Sequence, residues 1–235
     1  MMNILTKLSM LIRRKKAETM MCRVVEQKLT YLPEKKIHAL INLVLNAEKN
    51  DIPGVIIEAG CALGGSGIVI ASAKNTQRPM LIYDVFGMIP PPTEQDGPDV
   101  HERYQIISRG SSQGIDGDEY YGYLPDLYDR VKLNFELNNL SISKNNISLV
   151  KGLVQDTLQV ETSICLAHID VDWYDPVMTC LTRIEPKLSI GGSIVLDDYH
   201  DWSGCHQATD DFFSDKKERF YFDSTPGSLV VTKLR

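Results

Sequence analysis

The chain has no cysteine pair at CxxC spacing: Cys22, Cys61, Cys165, Cys180 and Cys205 are scattered and odd in number. That gives no support to a disulfide framework or a cysteine-built zinc site, and it fits a reducing compartment, so a cytoplasmic location is expected. There is no basic excess either. Across 235 residues, 25 Lys and Arg stand against 31 Asp and Glu, a net charge of −6, which excludes the electrostatic footprint of a general nucleic-acid binder. No apolar stretch is long enough to span a bilayer. Residues 1–12 are mildly apolar and precede the basic run Arg13-Arg14-Lys15-Lys16, the reverse of the order in a secretory signal. Internal repeats, low-complexity segments and linker-like composition are absent. What remains, with 43% hydrophobic and 24% charged residues, has the composition of one soluble globular domain over residues 1–235. Residues 1–33 read as an N-terminal arm whose amphipathic start packs on a neighbouring subunit of a homo-oligomer rather than on a membrane surface.

What is present centres on residues 164–199. Two short apolar runs, 164–169 and 193–196, end in acids: Asp170 and Asp172 after the first, Asp197 and Asp198 after the second. Such runs, bounded by turn signals, read as buried strands of a parallel sheet. Residues 177–188 have helical length and spacing, and Gly191 and Gly192 reset the chain, giving a βαβ unit whose strand ends open on one edge. Ligands bind at that edge in open α/β sheets. Acids also cap helices, and Asp175 suits that role. Two pairs at adjacent strand ends instead favour a divalent cation among hard oxygen ligands, Mg²⁺ or a similar ion.

Upstream, Ile37, Leu40, Ile41, Val44 and Leu45 predict a helix starting at Pro33 or Glu34. An apolar strand over 55–58 ends in Glu58 and enters a turn carrying Gly60, Gly64, Gly65 and Gly67, then a helix over 68–73. Glycines there let the backbone approach a ligand and expose bare N–H groups at a helix start. The spacing is not GxGxxG, so the turn by itself does not choose among nucleoside cofactors. A second strand, 80–85, carries Asp84 where an acid can accept hydrogen bonds from ribose hydroxyls.

Residues 86–125, with three prolines at 90–92 and then Gly, Ser, Asp and Tyr, read as an irregular lid over the same edge, mobile without ligand. Tyr104, Tyr120, Tyr121 and Tyr123 are candidates to stack on an acceptor. A helix over 126–140, a strand over 147–151, a helix over 208–217 and a closing hairpin of 220–222 and 229–234 complete the pattern. The fold class is therefore α/β, a doubly wound, mostly parallel sheet with an antiparallel C-terminal hairpin. His168, inside a strand, reads as a hydrogen-bonded core residue; His200 and His206 are weaker acceptor-contact candidates.

Taken together, LTYL (29–32), EAGCALGGS (58–66), DVFGMIP (84–90), KGLVQDTL (151–158), HIDVDWYD (168–175) and GGSIVLDDY (191–199) resemble the macrocin O-methyltransferase-like family of class I S-adenosylmethionine enzymes, over residues 28–215. The resemblance implies S-adenosylmethionine over the glycine turn, with Glu58, Gly60 and Ser66 near its methionine end and Asp84 on the ribose. Gln155 and Asp156 match the turn near the adenine, and Thr30, Gly64 and Gly65 fall within the same cofactor motifs. It implies metal ligands at Asp170, Asp197 and Asp198, a general base at Asp172, and a sugar or glycosylated small-molecule acceptor in a natural-product or glycan pathway. Gly87-Met88 replaces an acid-glycine pair of the family and Val171 replaces a frequent Gly, both beside the acceptor pocket.

The chemistry is coherent without the family: a sugar hydroxyl needs alignment, metal coordination and a nearby carboxylate to become a nucleophile. Two vicinal hydroxyls would chelate the ion. Two other readings use the same acids less completely. A glycosyltransferase using DxD and a nucleotide sugar leaves the glycine turn and Asp84 without a role, and an inactive scaffold leaves the acid set unexplained.

Overall fold

The computed structural model describes residues 4–235, with side chains from Leu8 onward. The chain opens with α1 (Ile4–Glu26) and α2 (Glu34–Lys49), then alternates β1 (Val55–Ala59), α3 (Gly65–Ala73) and β2 (Met80–Asp84). Next come α4 (Pro98–Ser108), α5 (Leu127–Leu137), β3 (Ile147–Lys151), α6 (Val154–Thr157) and β4 (Ile164–Ile169). It closes with α7 (Tyr174–Ile184), β5 (Leu188–Leu196), α8 (Ser203–Phe213), β6 (Phe220–Asp223) and β7 (Leu229–Lys233).

The strands form one sheet in the order β3-β2-β1-β4-β5-β7-β6. The first five are parallel; β7 runs antiparallel to both β5 and β6. Every residue of β1 and β4 is buried, which is why both read as unbroken apolar runs rather than alternating ones. Chain order reverses between β1 and β4, so a crevice opens at their carboxyl ends. One face of the sheet packs on α1, α2, α3 and α5, through Ile37, Ile41, Ile68 and Phe135 among others. The other packs on α7 and α8, through Val177, Leu181, Ala208 and Phe213.

Several expected boundaries move. The helix placed at 177–188 is α7, and Leu188 already belongs to β5, which runs through Gly191 and Gly192 instead of restarting after them. The register of β4 against β5 shifts between Ile164 and Leu166, which absorbs the glycine pair into the strand. The N-terminal arm, expected on a neighbouring subunit, is largely a helix of its own fold: Ala17, Met20, Met21 and Val24 of α1 are core residues. Leu8, Leu11 and Ile12 stay exposed; residues 1–3 of the arm lie outside the described residues. The segment expected to be irregular contains α4, with Pro98 at its first turn and Val100 and Ile107 buried. Two apolar contacts in eleven residues are too sparse a period to announce a helix.

Candidate active site

Gly60 is where β1 stops and the ligand-facing turn begins. Its φ is +82°, and a Cβ there would overlap the carbonyl oxygen of Asp170, so a side chain is excluded on both counts. Gly60 N–H donates to Tyr83 O and Asp170 N–H donates to Ala59 O, each at 2.8 Å, which stitches three strand ends together. Gly65 meets a different neighbour. Its N–H donates to Leu29 O at 3.0 Å, and a Cβ would strike that carbonyl, so the chain before α2 lies directly on the start of α3.

Asp84 ends β2 and organises the turn. Its Oδ2 accepts Cys61 N–H at 2.7 Å and its Oδ1 accepts Phe86 N–H at 2.6 Å. Burial pushes its pKa up, and these backbone donors pull against that rise. Each oxygen keeps a second acceptor site for a ligand hydroxyl.

Asp170 and Asp172 follow β4, and Asp198 follows β5; one carboxylate oxygen from each lies within 4.8 Å of the other two. Asp172 gets there through left-handed backbone, φ +55°, and Ala62 and Phe86 beside the crevice have φ +45° and +48°. Three non-glycine residues in that region mark turns held against their own preference, as occurs at ligand sites. The acids repel one another. Burial and then Asp197 push Asp170 up to about 8; burial pushes Asp172 up to about 6. Burial and the charges of Asp172, Asp170 and Asp197 drive Asp198 well above the carboxylate range, and its buried Oδ2 has no hydrogen-bond partner. A self-repelling oxygen set with an orphaned acceptor fits a hard divalent cation.

Asp197 also lines the second cavity, but its carboxylate is already engaged. Its Oδ2 accepts Lys36 Nζ at 3.0 Å, its Oδ1 accepts the Ser228 hydroxyl at 2.9 Å, and His168 Nε2 stands 3.7 Å from Oδ1. Burial opposes its charge, yet His168 and Lys36 hold its pKa down to about 2. Behind it His168, fully buried as its strand position predicts, has Nδ1 3.3 Å from Glu58 Oε1. Burial works against an imidazolium there, but Asp197 and Glu58 raise the His168 pKa to about 10. Glu58 and Asp197 thus flank the buried His168 ring on its two nitrogens.

Two adjoining cavities share Gly60, Asp84, Tyr121, Asp170, Asp172 and Trp173. Of the expected cofactor residues, Gly60 and Asp84 line both, Gln155 lines the first, and Thr30 and Ser66 line the second. Glu58, Gly64, Gly65 and Asp156 line neither: Glu58 is buried behind the turn, Gly64 faces Val131, Gly65 faces Leu29, and Asp156 belongs to α6. Tyr120 and Tyr121 line the second cavity, whereas the Tyr123 hydroxyl donates to Ile107 O at 2.6 Å and Tyr104 faces neither. His200 and His206 sit on an outer shelf with Tyr199. Asp175 is not the cap of α7: Trp173 holds the N-cap position, and Asp96, just before α4, accepts Tyr174 N–H at 2.8 Å.

Sequence reasoning missed Lys36, Arg103, Trp173 and Trp202, all lining the second cavity. Two of them left a signal. Lys36 lies four residues before Leu40 on the buried stripe of α2, and Arg103 lies between Val100 and Ile107 on the inward face of α4.

The family model for macrocin-O-methyltransferase (TylF) matches residues 12–219. The chain belongs to this family. It is accordingly an S-adenosylmethionine-dependent O-methyltransferase, and the nucleotide-sugar glycosyltransferase reading falls away. The demethyldecarbamoylnovobiocin O-methyltransferase of Streptomyces niveus is 24% identical over 189 residues, covering 78% of this chain and 67% of that one. The mycinamicin III 3''-O-methyltransferase of Micromonospora griseorubida is 22% identical over 213 residues, covering 82% and 77%. Among solved structures, the O-methyltransferase NovP superposes with a TM-score of 0.74 at 20% identity, over 88% of this chain and 83% of that one. This likeness establishes the class I methyltransferase fold for this TylF-family chain. No helix among the described residues is long and apolar enough to cross a membrane.

Proposed function

We propose that this methyltransferase transfers a methyl group to one hydroxyl of a vicinal diol on a sugar, with a divalent cation, Mg²⁺ or similar, in its acid cluster. The observation that carries the reading is the convergence of Asp170, Asp172 and Asp198 within 4.8 Å, beside the glycine turn. The relatives described above are named for O-methylation of antibiotics, which supports a glycosylated natural product as the acceptor.

In this reading Gly60, Ser66, Thr30, Asp84 and Gln155 hold S-adenosylmethionine, and Asp170 and Asp198 hold the cation. When bound, the first supplies an electrophilic methyl group and the second lowers the pKa of a coordinated hydroxyl. Asp172 takes the hydroxyl proton. A carboxyl lifted by burial to about 6 is well matched to accept a proton near neutrality. Trp173, Trp202, Tyr120 and Tyr121 wall the second cavity, orient the sugar ring and exclude water. Asp197 keeps Lys36, His168 and Ser228 rather than serving as a third ligand.

The test is methyl transfer to a panel of diol-bearing glycosides, with Mg²⁺ titrated against EDTA. Activity on diols that disappears in EDTA and is absent on matched mono-hydroxyl analogues is expected. Full activity in EDTA would remove the metal from the mechanism.

A further inference from the structure

Among the described residues, only two cationic side chains line the paired cavities, Lys36 and Arg103. They are not equivalent. An ammonium has three donors, and Lys36 spends all of them, on Asp197 Oδ2 and Asp197 O at 3.0 Å and on Asp201 Oδ2 at 2.9 Å. A guanidinium has five donors in a fixed fork. Arg103 Nη2 donates to the Ser112 hydroxyl at 3.0 Å, and the guanidinium carbon lies 5.8 Å from the centre of the Tyr120 ring. Among the described residues no carboxylate approaches it within salt-bridge distance, although acids abound on the opposite wall of the cavity.

The location sharpens the point. Arg103 projects from α4 into the second cavity alongside Ile107, Tyr120 and Tyr121, while Asp172, Asp198 and Trp202 come from the sheet edge. An arginine placed only to offset the acid cluster would sit against one of those carboxylates. This one bonds Ser112 and lies beside the tyrosine ring instead: its charge acts on Asp172 without a contact, and among the described residues its remaining donors have no partner. Resting on the sugar-methylating reading above, we infer that the acceptor carries an anion, a carboxylate or a phosphate, which Arg103 binds while the diol meets the acid cluster. Arg103 is then the specificity-determining residue of the acceptor site. Charge-assisted, bidentate recognition of planar carboxylate or of phosphate suits the guanidinium donors that the Ser112 bond leaves over.

The test uses the full chain saturated with S-adenosylhomocysteine and Mg²⁺, titrated with three sugars sharing one ring: methyl glucoside, glucuronic acid and glucose 1-phosphate. Binding is read from the fluorescence of Trp173 and Trp202, which line the cavity. At least one anionic sugar is expected to bind about 10-fold or more tightly than the neutral glucoside, and whichever does so identifies carboxylate or phosphate as the source. Arg103→Gln should abolish that preference, and Arg103→Lys, which keeps the charge but not the fork, should restore part of it. A cooperative thermal transition near the wild-type midpoint shows that each variant is folded. Equal affinity for all three sugars, no binding of either anionic sugar, or a preference that survives in Arg103→Gln would overturn the proposal. Failure to bind S-adenosylhomocysteine, or sugar binding indifferent to Mg²⁺, would sink the parent reading and this one with it.

Discussion

Lys36 Nζ lies 3.0 Å from Asp197 Oδ2, with both side chains about nine-tenths buried, so the start of α2 is tied by charge to the end of β5. The same ammonium reaches Asp201, beyond the turn that carries Asp198. One cation thus pins the strand end beside the acid cluster and leaves Asp198 to face the cavity.

Lys36→Met should therefore destabilise the protein. Removing one partner of a buried pair costs roughly 3–5 kcal/mol when the remaining charge is uncompensated; His168 and Ser228 still face Asp197, so a cost of about 1–3 kcal/mol is expected. Urea unfolding followed by tryptophan fluorescence measures the change. A loss below about 1 kcal/mol, the range of an exposed pair, would show that the contact does not anchor the strand end.

The geometry also separates Asp197 from the other acids. Asp170→Ala and Asp198→Ala should weaken Mg²⁺ binding by well over the ~10–100-fold typical of residues that only support ligands. Asp197→Asn keeps an acceptor for Ser228 and a neighbour for Lys36, so its effect should stay within that range. Calorimetric titration with Mg²⁺ decides the matter. Should Asp197→Asn lose binding as fully as Asp198→Ala, the carboxylate must exchange Lys36 for the ion.

The parallel core was legible because β1 and β4 are buried on both faces, which writes a continuous apolar run into the sequence. Paired acids at the strand ends made the edge legible too, since acidic side chains have few reasons to follow buried strands in pairs. What stayed hidden depends on contacts between distant segments. Nothing local to Asp197 says that Lys36, 161 residues away, will claim it. Asp84 likewise reads as a free ribose acceptor until Cys61 N–H and Phe86 N–H are found on its oxygens. Helix α4 was hidden for another reason: its inward face is made of two aliphatic residues and an arginine, a pattern that hydrophobic periodicity discounts.

Stability should fall with rising pH in the absence of metal. The folded chain holds a proton on Asp170 up to about pH 8 and on Asp172 up to about 6, where the unfolded chain releases them near 3.8. A raised folded pKa gives stability that is complete below the unfolded value and lost as pH climbs through the folded one. His168, raised from 6.5 to about 10, adds to the same trend above neutrality; Asp197, lowered to about 2, opposes it only in strong acid. In EDTA the thermal midpoint should decline from pH 5 to pH 8. Mg²⁺ at about 100 times its Kd should restore ~2.7 kcal/mol at pH 8, a rise of roughly 5–10 °C. A midpoint that climbs over this interval in EDTA, or ignores Mg²⁺ at pH 8, contradicts the cation site.

Asp172 stands in the acid cluster, yet in the proposed reaction it takes the hydroxyl proton. Its left-handed backbone, φ +55°, turns it away from the line of β4 that Asp170 continues. Asp172→Asn preserves shape and one acceptor oxygen while removing the basic site. Binding of S-adenosylhomocysteine should be unaffected, and Mg²⁺ should still bind through Asp170 and Asp198. The rate of methyl transfer should drop by roughly 10²–10⁴-fold, the usual contribution of a general base. The pH profile adds an independent readout: the wild-type rate should rise with the deprotonation of one group, and that limb should vanish in the variant. Loss of Mg²⁺ binding together with activity would recast Asp172 as a ligand. A normal rate that still requires Mg²⁺ would mean that the cation alone activates the hydroxyl and that Asp172 only shapes the turn.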